Sequence, residues 1–481
     1  MLEPSFRVYF EMNAVLTVLS FLLVAFILLA VPTIVAPHSA DYAMTFTAFD
    51  SAKAVLLCGA LATFAGWVFY RQRENGPFLL RIFVSALLIR ILLGTVIFAF
   101  NGREFFGGDA IHYDYYGAAQ LAAWHGDRYF DALMRLYNSG GLAGAWGMVY
   151  MVAAIYGFLG RNTLAVQMVV AVMGAATAPL IYLVASHVFQ NSRVARFSAF
   201  AVAFYPSLVL WSSQGLKDGP IVFFLAVSIL ATLRLGEKFS LKYVAILVLA
   251  LFAILTFRFY VFYMIVAAVT GAFLIGMQKV TASNFVRQFA IIILMGFAFT
   301  YLGVTRYANV HLTHYTRLDR VERSRKDAAD SAQSGYGEGA DVSTGEGALK
   351  RIPLGLIYLL FAPFPWQLTS LRQSITLPEM LIWWASFPLL ILGLWFSIKY
   401  RLRQISPVLI FTVMLTLAYS IFQGNVGNAY RQRSQLLVFY FIFVGVGYVL
   451  LLEKREERKR RDLAEPKPLP ARIAASEVSR R

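Results

Sequence analysis

LKYVAILVLALFAILTFRFYVFYMIVAAVTGAFLIGM, residues 241–277, holds only Lys242 and Arg258 as charged side chains. As one helix it would extend about 55 Å at ~1.5 Å per residue. That is nearly twice a hydrocarbon core about 30 Å thick. Basic residues flank both ends, so the stretch reads as a hairpin of two spans with Arg258 at its tip.

Apolar runs of this kind recur along the chain. Twelve approximate spans follow: 14–36, 52–70, 79–100, 163–186, 195–211, 220–235, 243–257, 259–277, 288–304, 379–398, 406–422 and 434–452. The first, roughly Val15–Val35, exceeds a signal-peptide core of about 7–15 residues and reads as a retained span. Backbone amides in lipid must be satisfied internally, so the spans are expected to be helices. The fold class is therefore all-α and polytopic. Composition agrees: the 481 residues are 59% hydrophobic and 14% charged, against roughly 25% charged in soluble domains.

The net charge of +17 is not a nucleic-acid signal. Lys and Arg sit in short links after each even-numbered span, from Arg71, Arg73 and Arg81 to the run Arg458–Arg461. The positive-inside rule then makes both termini cytoplasmic in a multi-pass protein of the cell (inner or plasma) membrane. Loops 101–162, 206–219, 305–378 and 423–433 fall on the outer face. Segments 143–159 and 352–366 are expected to lie in the interface or re-enter, since a spanning 143–159 would invert every later loop. Residues 1–452 form the transmembrane domain. Residues 453–481 form a basic cytoplasmic tail, expected to be disordered, whose start binds anionic lipids. Cys58, the sole cysteine, excludes internal disulfides.

Unusual polar groups collect in the outer links. FGGDAIHYDYYG, residues 106–117, offers Asp109, His112 and Asp114 among Tyr113, Tyr115 and Tyr116. PSLVLWSSQGLKDGP, residues 206–220, offers Lys217 and Asp218. The hairpin tip offers Arg258. QGNVGNAYRQR, residues 423–433, offers Asn425, Asn428, Arg431 and Arg433. Cations at a membrane edge suit a lipid phosphate, which arginine grips with a planar fork. Nearby carboxylates suit a general base or a divalent ion. Each has a plainer reading. Asp109 fits a Gly-Gly-Asp turn, Asp114 an N-cap, His112 and the tyrosines an interfacial belt. Lys217–Asp218 fits a salt-bridged turn, Arg258 a hairpin cap, and Arg431 and Arg433 a headgroup anchor. In loop 305–350, RLDRVERSRKD (317–327) has helical charge spacing and 331–347 reads as a mobile lid or a spacer.

GGDAIHYDYYG (107–117), WGMVYMVAAIYGFLGRN (146–162) and the stretch from Leu164 to Pro220 resemble the GT-C superfamily of polyprenyl-phosphate-sugar-dependent glycosyltransferases. The look-alikes are bacterial relatives of protein O-mannosyltransferases and aminoarabinose transferases. The similarity covers about residues 100–235. PFPWQ (363–367) and GNAYRQR (427–433) are similar to pieces of exopolysaccharide-cluster proteins. The family often separates its two acids by one residue; here four lie between Asp109 and Asp114.

The resemblance implies transfer of a sugar from a polyprenyl-phosphate carrier to a glycan, lipid or protein acceptor on the outer face, with inversion. It implies Asp109 as general base or acceptor-orienting carboxylate. Asp114 would support it or help hold a divalent cation, Mg or Mn. Lys217, Arg258, Arg431 and Arg433 would stabilise the phosphate, with His112, Tyr113 and Asp218 lining the substrate. The rivals are a polymerase or ligase using diphosphate-linked glycans, and a lipid-linked glycan flippase. Few charges at mid-span and no internal repeat favour the enzyme.

Overall fold

The structure, a computed structural model, describes residues 46–72, 75–100, 108–139, 146–275, 282–304, 318–330, 335–336, 341–368 and 371–464. In chain order the helices are α1 (Ala48–Tyr70), α2 (Gly76–Ala99), α3 (Asp109–Trp124), α4 (Arg128–Ser139) and α5 (Trp146–Leu159). Then come α6 (Thr163–Phe189), α7 (Ser192–Phe204), α8 (Pro206–Ser212), α9 (Asp218–Glu237), α10 (Leu241–Phe257) and α11 (Phe259–Ile275). The remainder are α12 (Ala282–Tyr301), α13 (Leu318–Asp330), α14 (Gly345–Phe361), α15 (Leu371–Ser374), α16 (Leu377–Phe422), α17 (Val426–Gln432) and α18 (Ser434–Ala464). Among the described residues the extended pairing is a single bridge, Gly335 with Asn425.

The chain is a polytopic helical membrane protein. Six helices are long and apolar enough to cross a membrane, and α7 with α8 forms a further span bent by 54°. Helices α10, α11 and part of α12 are shorter apolar helices. The expected hairpin breaks at Arg258, which leaves helical geometry at φ −159°, ψ 87°. The expected span 14–36 lies outside the described residues. Of the expected segment 143–159, the described part 146–159 is the 14-residue α5, about 21 Å long and by itself too short to cross.

Spans 379–398 and 406–422 are two helices within α16, separated in the basic link 399–404 by a kink at Arg401, whose φ −133°, ψ 17° is not helical. One expectation needs correction. The tail is helical to Ala464, since Glu456 and Glu457 stand four residues before Arg460 and Arg461. Residues 465–481 lie outside the described residues.

Side-chain caps set several helix starts. Thr47 and Asp50 make a reciprocal capping box on α1. Asn162 Oδ1 accepts from Ala165 N at 3.0 Å at the start of α6, while its Nδ2 donates to Asp50 O at 2.7 Å. Asn425 Oδ1 accepts from Gly427 N at 2.7 Å and opens α17.

The α7–α8 bend has a local cause. Pro206 lacks the N–H that would bond Val202 O, and it holds Tyr205 extended. The missing donor comes from α2. Arg90 is 1% exposed and donates through Nη2 to Val202 O (3.4 Å), Nη1 to Ala203 O (2.9 Å) and Nε to Ser212 Oγ (2.7 Å). Close packing surrounds it. A Cβ on Gly174 would meet Ser212 and the Arg90 guanidinium, and one on Gly94 would lie 2.6 Å from Ser213 O.

The two ends of the bundle gather different links. At one end Arg193 pairs with Glu456 (3.0 Å), Asn191 donates to Glu453 (3.3 Å), and Arg287 donates to Gly236 O (2.7 Å) and Glu237 O (3.0 Å). The links at 108–114, 213–218, 258 and 423–433 meet elsewhere, around one polar cluster.

Candidate functional site

The cluster is built where helices start, stop or break. Asp109 is the first residue of α3 and Asp218 the first of α9, so each carboxylate sits at the positive end of its helix. Arg258 fills the break between α10 and α11. Arg431 lies in the last turn of α17.

Arg431 joins the two carboxylates. Its Nη1 donates to Asp109 Oδ2 at 2.6 Å, its Nε to Asp218 Oδ2 at 2.8 Å, and Nη2 lies 2.6 Å from the same oxygen. Its guanidinium is 5.6 Å from the Trp211 ring centre. Arg258 Nη2 stands 3.7 Å from Asp218 Oδ1. Asp218 is 1% exposed, whereas Asp109 is 51% exposed at the mouth. Lys217 holds its Nζ 5.9 Å from the ring of buried Tyr113 and makes no hydrogen bond or ion pair among the described residues. Two buried donors, Arg258 Nη1 and Trp211 Nε1, also lack hydrogen-bond partners among those residues.

Electrostatics follow from this packing. Burial works to raise the Asp109 carboxyl, but Arg431, Lys217 and Arg258 outweigh it and hold the group below the usual carboxylate value. Burial lowers His112, against the pull of Asp109. Burial, then Asp109, raises the Tyr113 phenol, so it stays protonated. Lys217, one residue before the span that α9 begins, is pushed down to about 7, by burial first and by Arg258 next, with Asp218 opposing.

The structure thus brings together Asp109, His112, Tyr113, Lys217, Asp218, Arg258 and Arg431. It takes two expected residues elsewhere. Asp114 is 5% exposed and faces away; five positions along a helix is a rotation of roughly 140° from Asp109. Arg161 grips it through Nε to Oδ1 (3.0 Å) and Nη2 to Oδ2 (2.9 Å), and Tyr156 Oη donates to Oδ1 at 2.7 Å. Arg433 is 1% exposed and donates to Leu360 O (2.8 Å) and Ala362 O (2.7 Å), closing the end of α14.

The divalent ion expected of the acidic pair finds no chelate there, because the two carboxylates diverge and each is held by an arginine. Among the described residues no group of three or more His, Cys, Asp or Glu side chains is placed to hold a metal. The remaining aromatics stack beside Asp109. His112 lies 4.4 Å from Tyr116, which lies 4.4 Å from Tyr137, and His112 Nε2 is 3.4 Å from the Tyr137 hydroxyl. Sequence reasoning missed Trp211 at the cluster, Arg161 behind Asp114, and the buried Glu379, which accepts from Tyr430 Oη at 2.9 Å near Arg433. It also passed over Arg90, although a lone arginine inside an apolar run was the signal.

The comparisons bear on this site in part. Residues 145–301 match the family model described as dolichyl-phosphate-mannose-protein mannosyltransferase. The GT-C resemblance carried by residues 100–235 agrees with that match, which covers the segment holding Asp218 and Arg258. Among solved structures the chain is similar to the archaeal oligosaccharyltransferase AglB from Archaeoglobus fulgidus, in complex with an inhibitory peptide and a dolichol-phosphate. Identity is 16% and the TM-score 0.37, over 69% of this chain and 45% of that one. No curated protein matches.

Proposed function

We propose, for a chain whose residues 145–301 match the model described as dolichyl-phosphate-mannose-protein mannosyltransferase, that it moves a sugar from a polyprenyl-phosphate carrier to an acceptor hydroxyl at the outer membrane edge. The acceptor is a glycan, lipid or protein. One observation carries the reading: three cations from three separate chain segments converge on two carboxylates, and among these five described charges Asp109 is the exposed one.

In this reading Arg258, Lys217 and Arg431 receive the carrier phosphate. The spare donors Arg258 Nη1 and Trp211 Nε1 supply further hydrogen bonds. Phosphate entry competes for Arg431, loosening its bond to Asp109 and making that carboxylate a better base. Asp109 takes the acceptor proton as the acceptor oxygen bonds the anomeric carbon. The bond from that carbon to the phosphate oxygen breaks, and its electron pair stays on the phosphate. A single displacement of this kind inverts the anomeric centre. Asp218 holds the arginines in place and touches no reacting atom. The spatial grouping of the four links supports their placement on one face, opposite the Arg193 and Arg287 links.

The test is turnover by purified protein with a panel of polyprenyl-phosphate sugars, comparing wild type with Asp109→Asn. The expected result is retained carrier binding with at least ~100-fold slower transfer, the low end of general-base contributions. Equal rates would remove Asp109 from the chemistry. Carrier movement across vesicles without transfer would replace the enzyme by a flippase.

A further inference from the structure

We propose that Lys217 is a proton-linked phosphate latch: a phosphodiester entering the cluster draws a proton from solvent onto its amine, so carrier binding and proton uptake are one event. This rests on the reading of the cluster as a phosphate site.

Arg431 spans Asp109 Oδ2 and Asp218 Oδ2, and Arg258 faces Asp218 Oδ1. Both acids are therefore committed to arginines. Lys217 is left over the face of Tyr113, with no carboxylate in ion-pair reach among the described residues. Among the described residues, three cations facing two carboxylates leave one excess positive charge in a largely buried site. Arginine does not release a proton in proteins, and lysine does so readily when buried. The excess is relieved at Lys217. Its position near 7 agrees with that.

Among the described residues, the groups that face Lys217 and its partners come from several elements, with Tyr260 and Tyr419 beside Arg258. From α3 come Asp109, His112 and Tyr113; from α9, Asp218; from the α10–α11 break, Arg258; from α17, Arg431. A phosphodiester adds one negative charge, and a protonated Lys217 then makes the cluster neutral. Neutrality persists through the transfer. As the phosphate gains a second negative charge, the acceptor proton neutralises Asp109. An uncharged amine would leave a surplus negative charge at every stage.

The experiment is titration calorimetry on the full chain with the methyl diester of farnesyl phosphate, a probe whose own phosphate does not titrate between pH 5 and 9. Measurements in two buffers of different ionisation enthalpy give the protons taken up. With a free-state value of about 7, uptake is expected near 0.9 proton per site at pH 8 and near 0.1 at pH 6, with affinity falling about tenfold per pH unit above 7.5. Burial holds His112 below its usual value in the free site, and uptake by His112 would persist in Lys217→Arg. Lys217→Arg should bind the probe with no uptake and a flat pH dependence. Binding by wild type without uptake at pH 8 would overturn the latch and leave the phosphate site standing. Uptake that persists in Lys217→Arg would overturn it too, by moving the proton to another group. No binding at any pH from 6 to 9 would overturn the site itself, and the latch with it.

Discussion

Asp109 and Asp114 share one helix and one motif, yet their substitution should give opposite phenotypes. Asp114 is 5% exposed, and Arg161, its partner, is 29% exposed. Asp114→Asn removes the charge from two arginine hydrogen bonds and weakens the one from Tyr156. Hydrogen bonds to charged groups contribute about 1.5–3 kcal/mol each. Water reaching Arg161 offsets part of the loss, so a net cost of about 2–3 kcal/mol is expected. At about 2 °C per kcal/mol for a long chain, the thermal midpoint should fall by about 5 °C. Scans of detergent-purified wild type and variant at one heating rate read this directly. Activity per folded molecule should stay within about twofold at temperatures well below the transition. Asp109→Asn should do the reverse, because its half-exposed side chain contributes little to packing. An Asp114→Asn protein that melts normally but does not turn over would refute the division of labour and return Asp114 to the chemistry.

Arg431→Lys should weaken carrier binding by about 10–100-fold, since a point ammonium cannot bridge Asp109 and Asp218 as the guanidinium fork does. Direct binding of polyprenyl phosphate measures it. Asp109 must be ionised to act as a base and lies below its usual value, so the acid limb of kcat/KM should fall below about pH 4. In Arg431→Gln that limb should move upward, which a pH–rate profile will show. Gly94→Ala places a Cβ 2.6 Å from the Ser213 carbonyl, a backbone atom with no rotamer to yield, while Gly59 has nothing within 4 Å. The first should cost about 1–3 kcal/mol and slow transfer at least ~10-fold by displacing the link to Lys217; Gly59→Ala should do neither.

Most of the fold was legible because hydropathy and the charge of short links carry it. The hairpin at Arg258 illustrates this: an apolar run too long for one span, with a cation near its middle, marks a turn, and the chain breaks there. The break within α16 was legible in the same way: the basic link 399–404 separates two apolar runs, and Arg401 leaves helical geometry there. At the site, Lys217, Asp218, Arg258 and Arg431 stood out because each interrupts apolar sequence at a helix end. Their mutual pairing did not, because it depends on elements up to 322 positions apart. Asp114 and Arg433 misled for one reason. Proximity in sequence does not say which way a side chain turns, and one residue points to Arg161 while the other points to the end of α14.

Between the synthesis of Arg90 and that of its acceptors, the ribosome must add 112 to 122 residues. At about 5–20 residues per second that takes roughly 6–24 s. During this interval α2 carries a charge with one intrahelical partner, Ala86 O, at 2.9 Å. An arginine at mid-helix costs about 3 kcal/mol on insertion scales. The Pro206 bend, for its part, arrives with a carbonyl that no amide can satisfy. Each element is a poor guest in lipid alone and completes the other on contact. The polar groups of α2 and of the α7–α8 bend are therefore satisfied only after both have been made, which couples an early span to a late one.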